Sequence, residues 1–200
     1  SSSRYLSFNA LTNTFEPAFS QNYPMIDGTW FGAAYFANLK SLKHGLEPVY
    51  DTKTWRPDYA KNGYRLPTEA EWEYVARMRG LSTGDYAHGN TDKNLEEYAW
   101  FDKNAGSKTQ PVGLKKPIII NGKPIYDIHG NVWEWLADWY GNNLTGGIDP
   151  QGAASGSNRV IRGGSWYYDA QYLRSGFRSY FDPGNRYNRA VGFRLVSDIP

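Results

Sequence analysis

Cysteine is absent from all 200 residues. Disulfides, thiol nucleophiles and thiolate metal sites are excluded with it. Histidine is nearly absent: the 3 copies, His44, His88 and His129, lie far apart and have no clustered ligand spacing. Charge of one sign is lacking too. A formal net charge of +2 is too small to argue for nucleic acid or an anionic membrane as partner. No apolar run is long enough to cross a bilayer. No linker rich in Pro, Ser or charge divides the chain, and no long repeat is evident, so residues 1–200 read as a single domain.

Aromatic residues are plentiful. They make up 16% of the chain, with 8 Trp and 16 Tyr, more than a core needs, so some must lie on a surface or line a groove. The 21 Gly and 11 Pro are scattered throughout, which points to many turns and short strands.

Two helices are expected. The first starts at Asp27-Gly28-Thr29, with Thr29 as N-cap, and runs through Trp30, Ala34, Ala37 and Leu42 to Gly45. The second opens on Thr68-Glu69-Ala70-Glu71, a capping box in which Thr68 and Glu71 serve each other's backbone. Trp72, Val75 and Ala76 share a face of it, and Gly80 follows its end. Beyond Gly80 the expectation is short extended pieces: Tyr98–Phe101, Ile118–Ile120, Val132–Trp135, Arg159–Arg162 and Gly192–Val196. Helices followed by irregular β structure make an α+β domain with much loop.

Three segments carry a resemblance. They are Gly63-Tyr64-Arg65-Leu66-Pro67-Thr68-Glu69-Ala70-Glu71-Trp72, Tyr126-Asp127-Ile128-His129-Gly130-Asn131-Val132-Trp133-Glu134-Trp135, and Arg159-Val160-Ile161-Arg162-Gly163-Gly164-Ser165-Trp166 closed by Gly192-Phe193-Arg194-Leu195. Their order and spacing resemble the formylglycine-generating-enzyme (sulfatase-modifying factor) family over residues 22–196. The resemblance implies an elaborated C-type lectin fold. The family's oxidase holds copper with two cysteines, and the matching positions here are Tyr168 and Leu173, neither of them a soft donor. The sulfoxide-synthase relatives use several histidines, which this chain does not cluster. The resemblance also implies a structural Ca²⁺ on Asn131 and Glu134, with backbone oxygens of Gly130 and Val132. The alternative there is that Asn131 and Glu134 only hydrogen-bond their loop.

Between Ser165 and Gly192 a framework alternates with other residues. The framework is Trp166, Ala170, Gln171, Leu173, Arg174, Ser175, Arg178, Pro183 and Arg186. The interleaved set includes Tyr, Phe, Asp, Asn, Ser, Gly, Ala and Arg but no Lys, Glu, Gln, Met or Trp. The absent types have no codon ending in a pyrimidine, and the present ones arise from an Asn codon by changes at its adenines. This resembles the variable region of proteins diversified by retroelements that mutate template adenines. The resemblance implies that 165–191 is a ligand-binding variable segment. Its contact residues would be Tyr167, Tyr168, Asp169, Tyr172, Phe177, Ser179, Tyr180, Phe181, Asp182, Asn185, Tyr187, Asn188 and Arg189. Tyr with Ser, Gly and Asn is the chemistry of antibody paratopes. Tyr167, Tyr168, Tyr180, Phe181 and Tyr187 are expected to be exposed, and Trp166, Leu173 and Phe193 to be core. The arginines Arg162, Arg174, Arg178, Arg186 and Arg194 read as scaffolding.

The reading that follows is a non-catalytic binding module with a protein or glycan partner. The resemblance implies a place outside the cell or at its surface. The rival is an enzyme of the same superfamily with altered chemistry.

Overall fold

The computed structural model describes residues 22–197 except 143, 145 and 187, together with the backbone of two strands at 6–9 and 14–17. Those strands, β1 (Leu6–Asn9) and β2 (Thr14–Pro17), pair as an antiparallel hairpin.

Helix α1 spans Trp30–Lys43, and the Thr29 hydroxyl accepts from the Gly32 amide at 2.9 Å. Helix α2 spans Glu69–Ala76 with the expected reciprocal box at Thr68 and Glu71. Arg65 locks that box from outside with two 2.7 Å bonds to the Glu71 carboxylate. A third helix, α3 (Leu95–Tyr98), was not expected, and it corrects the two-helix reading. It is one turn long, so it has no periodicity to detect, and Asn94 before it makes no side-chain cap. The expected strand at Tyr98–Phe101 is instead the end of α3 and an extended piece bridged once, from Trp100 to Gly130.

Strands β3 (Ile118–Ile120) and β4 (Lys123–Ile125) form a hairpin through Asn121 and Gly122, at φ 52° and 74°. Both turn residues take the left-handed values that a two-residue hairpin turn demands. The central sheet is built from β5 (Trp133–Trp139), β6 (Arg159–Arg162), β7 (Ser179–Phe181) and β8 (Val191–Gly192), in the order β7-β6-β5-β8. Only β5 and β8 run parallel. Strand β8 is shorter than the expected Gly192–Val196, and Val196 pairs with Arg65 alone.

Alternation along β5 gives the sheet two different faces. Trp133, Trp135 and Ala137 with Ile161 meet α1, where Trp30, Ala33, Ala34 and Ala37 are buried. The Trp30 indole N–H donates to the Leu136 carbonyl at 2.7 Å across this layer. Leu136 and Val160 face the other way, onto Trp72 and Ala76 of α2. These helices on opposite faces complete an α+β arrangement. Among the described residues no helix is long and apolar enough to cross a membrane.

Two buried titratable groups carry signs worth separating. His129 is fully buried; its Nε2 accepts from the Ala87 amide at 3.0 Å and its Nδ1 faces the Leu173 carbonyl at 2.7 Å. Burial holds its pKa down to about 4, so the neutral Nδ1–H form persists. Asp138 is also buried, and one oxygen accepts from the Glu69 amide at 2.7 Å at the start of α2. Burial, with Glu69 and Glu71 nearby, raises its pKa to about 6. The folded state therefore favours protonated Asp138, which stabilises at low pH, and the effect is lost as pH rises through 6. D138N keeps an acceptor for Glu69 without the charge. A gain of about 2 kcal/mol is expected at pH 7, after offsetting the lost charge at the helix start, and thermal melts should show it vanish as pH falls toward 4.

Candidate ligand-binding surface

The segment after β6 begins with Gly163 and Gly164, at φ 95° and 73°. A Cβ on Gly164 would lie 2.5 Å from a Leu173 methyl, so glycine meets both the backbone and the space requirement. Leu173 closes onto it, fully buried with Tyr86, Leu95 and Phe101. A 3₁₀ turn at Ala170–Leu173 follows, capped by Asp169, whose carboxylate accepts from the Gln171 amide at 3.1 Å.

Framework groups then tie the segment down. The Ser175 amide donates to the Asp85 carbonyl at 2.7 Å, and its hydroxyl to the Ala76 carbonyl at 3.0 Å. The Ser175 carbonyl accepts from Arg162 at 2.7 Å. Arg162 also bonds Glu69 at 2.6 Å and Glu73 at 2.7 Å. Arg178 grips Glu69 with two bonds of 2.6 and 2.8 Å. Arg174 bonds the Gln171 carbonyl of its own turn. The Pro183 carbonyl accepts from Trp30 at the start of α1, 3.1 Å away. Trp166 and Phe193, expected in the core, are only half-buried against it, and of the three expected core residues Leu173 alone is fully buried.

The interleaved residues divide into two groups. Tyr167 and Tyr180 are exposed, by 67% and 51%. Tyr168 and Phe181 are not fully exposed, contrary to expectation. Both are half-buried, Tyr168 against Trp133 at 5.5 Å and Phe181 against Trp135 at 6.0 Å. The cause is the sheet: α1 leaves this end of the Trp133–Trp135 face uncovered, and these rings complete it. Tyr172 and Phe177 join them, 4.9 Å apart, with Tyr172 also 4.9 Å from Tyr168. The result is an unbroken run of rings from Trp166 through Tyr167, Tyr168 and Tyr172 to Phe177. Tyr180 stands apart over Tyr140, at 4.5 Å, because alternation in β7 sends it to the α2 side.

The hydroxyls of Tyr167, Tyr168, Tyr172 and Tyr180 have no protein hydrogen-bond partner among the described residues. Asp169, Asp182 and Arg189 are exposed, while Ser179, Asn185 and Asn188 are half-buried. Asp182 and Asn188 each accept a backbone bond, from Gly184 at 2.8 Å and Ala190 at 3.0 Å, and so order their own loop. Tyr187 lies outside the described residues.

At the positions matching the copper ligands, Leu173 offers only a buried aliphatic chain and Tyr168 a phenol. With no cysteine anywhere, the copper–thiolate pair cannot form.

At the expected calcium site, Asn131 has both amide atoms engaged by the Gln110 backbone at 3.0 Å, so its side chain staples the loop. Glu134 accepts from Trp72 at 2.7 Å and from Arg194 at 2.6 and 2.7 Å. The orphan is Asp127: its Oδ1 is buried with no donor. Asp127 lines one cleft of about 380 Å³ with Gly130, Val132 and Glu134. Burial raises its pKa. The open donors for a hard cation are the Asp127 Oδ1 and the backbone oxygens of Gly130 and Val132, because Trp72 and Arg194 already engage both Glu134 oxygens. Among the described residues no three His, Cys, Asp or Glu side chains cluster around a metal position.

Reading the sequence missed Glu69 and Glu73 as anchors, and Trp133 and Trp135 as the floor beneath the exposed rings. Their motifs were visible, but which arginine Glu69 would meet depends on contacts 93 and 109 residues apart along the chain, and the rings over Trp133 and Trp135 come from a different segment.

Comparison with known proteins matches residues 11–199 to the sulfatase-modifying factor enzyme 1-like domain. Among solved structures, Treponema denticola variable protein 1 is similar, with TM-score 0.78 and 39% identity over 87% of this chain and 70% of that one. The chaperone protein LppX of Paenibacillus barcinonensis is 30% identical over 84% of this chain and 67% of its own length. The formylglycine-generating enzyme of Streptomyces coelicolor is 35% identical over 68% of this chain, which spans only 47% of that enzyme. The fold is thus the C-type lectin-like one of formylglycine-generating enzymes.

The two groups of rings should separate in thermal melts. Y167A and Y180A are expected to stay within about 0.5 kcal/mol of the parent, as surface changes do. Y168A and F181A should lose about 1–3 kcal/mol, part of a full core deletion, and melt several degrees lower.

Proposed function

The chain belongs to the family of sulfatase-modifying factor enzyme 1-like domains, and from that premise we propose that it is a non-catalytic ligand-binding protein. Segment 165–191 presents a diversified, aromatic surface on a rigid scaffold, and its partner is a protein or a glycan met outside the cell. The observation that carries this is the set of Tyr hydroxyls without protein partners on rings whose positions packing fixes. Such rings add contact area with little entropy to lose, and each has a polar tip left for a ligand. Likeness to a variable protein supports diversification. The copper chemistry of the family's oxidase has no donor pair here.

The test of diversification is the gene's neighbourhood. A near-duplicate of the DNA encoding 165–191 is expected there, differing from the gene only at template adenines. A gene with no such copy contradicts the reading.

Calcium in this account is structural, held by Asp127 with backbone oxygens of the Gly130–Val132 turn. It would neutralise the unpartnered Asp127 oxygen behind the binding segment. Melting temperature should rise when millimolar calcium replaces EGTA, and D127N should abolish the rise. Equal melts in both buffers remove calcium from the account.

A further inference from the structure

Asp138, near the end of β5, is only 3% exposed. One of its carboxylate oxygens accepts from the Glu69 amide at 2.7 Å. The other, Oδ1, has no donor among the described residues, and Asp138 has no ion pair there. The acids around it are all matched. Glu69 is held by Arg162 and Arg178, Glu73 by Arg77 and Arg162, and Glu71 by Arg65. The remaining cation nearby, Arg159, lies between the rings of Trp30 and Trp139, at 3.8 and 3.5 Å, and donates to the Ala137 carbonyl. An amide at 138 would accept from Glu69 as well and would cost less to bury, so capping α2 does not call for a carboxylate.

The open oxygen has space beside it. Asp138 lines a cleft of about 370 Å³ together with Ala70, Tyr74, Pro150 and Gly152. Pockets that take small molecules run from about 300 to about 1,000 Å³. Gly152 keeps the oxygen uncovered. Its φ is 71°, and a Cβ there would lie 2.6 Å from Oδ1. Among the described residues the lining comes from α2 and the turn after it, from Asp138 and from residues 144–152, and none of it from 165–191.

We propose that this cleft binds a small primary amine, whose ammonium donates to Asp138 Oδ1 while its apolar stem lies along Ala70, Tyr74 and Pro150. The site stands apart from segment 165–191 and does not depend on how that segment is read. An ammonium suits it better than other cations do. Only one carboxylate oxygen is open, so the planar fork of a guanidinium cannot be met on both prongs, whereas a compact ammonium can use a single acceptor. Calcium takes about six to eight oxygens, and among the described residues no three acidic or histidine side chains gather here. The ammonium also supplies the positive charge that the buried carboxylate lacks.

The test is an NMR titration of the intact protein with phenethylamine at pH 7. The Glu69 amide, bonded to Asp138, is expected to shift as the site saturates. D138N should weaken binding tenfold or more while melting no lower than the parent, so that lost affinity is not lost fold. Burial, with Glu69 and Glu71, raises the Asp138 pKa to about 6. Affinity of the parent should therefore fall about tenfold between pH 7 and pH 5, as protonation removes the charge, and D138N should show no such slope. Phenethyl alcohol, with the same stem and no charge, should bind at least tenfold more weakly. The slope and the alcohol are read on the parent and need no variant to fold. Equal affinity in D138N and the parent overturns the site, and so do shifts confined to 165–191. An alcohol that binds as well as the amine overturns the ammonium. Binding of the peptide Gly-Lys-Gly without binding of phenethylamine gives the cleft to a protein lysine and overturns the small molecule. Displacement of the amine from D127N by millimolar calcium overturns the amine in favour of a metal.

Discussion

A single buried guanidinium sets where the carboxy-terminal segment can go. Arg162 on β6 is 0% exposed, and it bonds Glu69 and Glu73 of α2 and the carbonyl of Ser175. Taking a guanidinium out of water costs several kcal/mol, which only well-placed partners offset. These partners come from two separate parts of the chain, α2 and the segment after β6. The arrangement is therefore satisfied only when α2, β6 and the segment's middle stand in one relation. Arg178 repeats the device from the segment itself by gripping the same Glu69, and Arg194 does so at Glu134. None of these bonds involves a residue of the interleaved set.

That separation would let outward residues be exchanged without disturbing the fold. Inward groups hold the path of the chain: Arg162, Leu173, Ser175, Arg178 and the carbonyl of Pro183. Outward groups such as Tyr167 and Tyr180 contribute little to the fold, so exchanging them costs little stability. A loop already ordered in the free protein loses less freedom on binding, which favours affinity. Tyr168, Tyr172, Phe177 and Phe181 lie between these extremes, half on the sheet and half in solvent. Substitution there trades scaffold against contact and is most tolerant of other large apolar side chains.

Local signals were legible and distant ones were not. Thr29 and the Thr68–Glu71 box marked the starts of α1 and α2 because capping is a matter of neighbours within one turn, whereas α2 ends at Ala76, before the expected stop at Gly80. The framework arginines could be picked out as scaffolding, but not their partners. Helix α3 was too short to have a period. The half-burial of Tyr168 and Phe181 depends on how far α1 reaches across the sheet, which no spacing within 165–191 encodes. Asn131 lay in the right motif for a cation, yet a left-handed φ of 61° belongs to a turn that gives its amide to Gln110 and leaves Asp127 unpartnered.

The rigidity of the anchored segment is most directly read by amide hydrogen exchange in the parent protein and in R162K, which keeps the charge but not the planar fork. The Ser175 and Phe177 amides, bonded to the carbonyls of Asp85 and Arg174, should exchange slowly in the parent. In R162K their protection should fall sharply while that of α1 stays. Equal protection in both proteins, or free-peptide exchange at Ser175 in the parent, would contradict the idea that a buried guanidinium holds the binding surface in place.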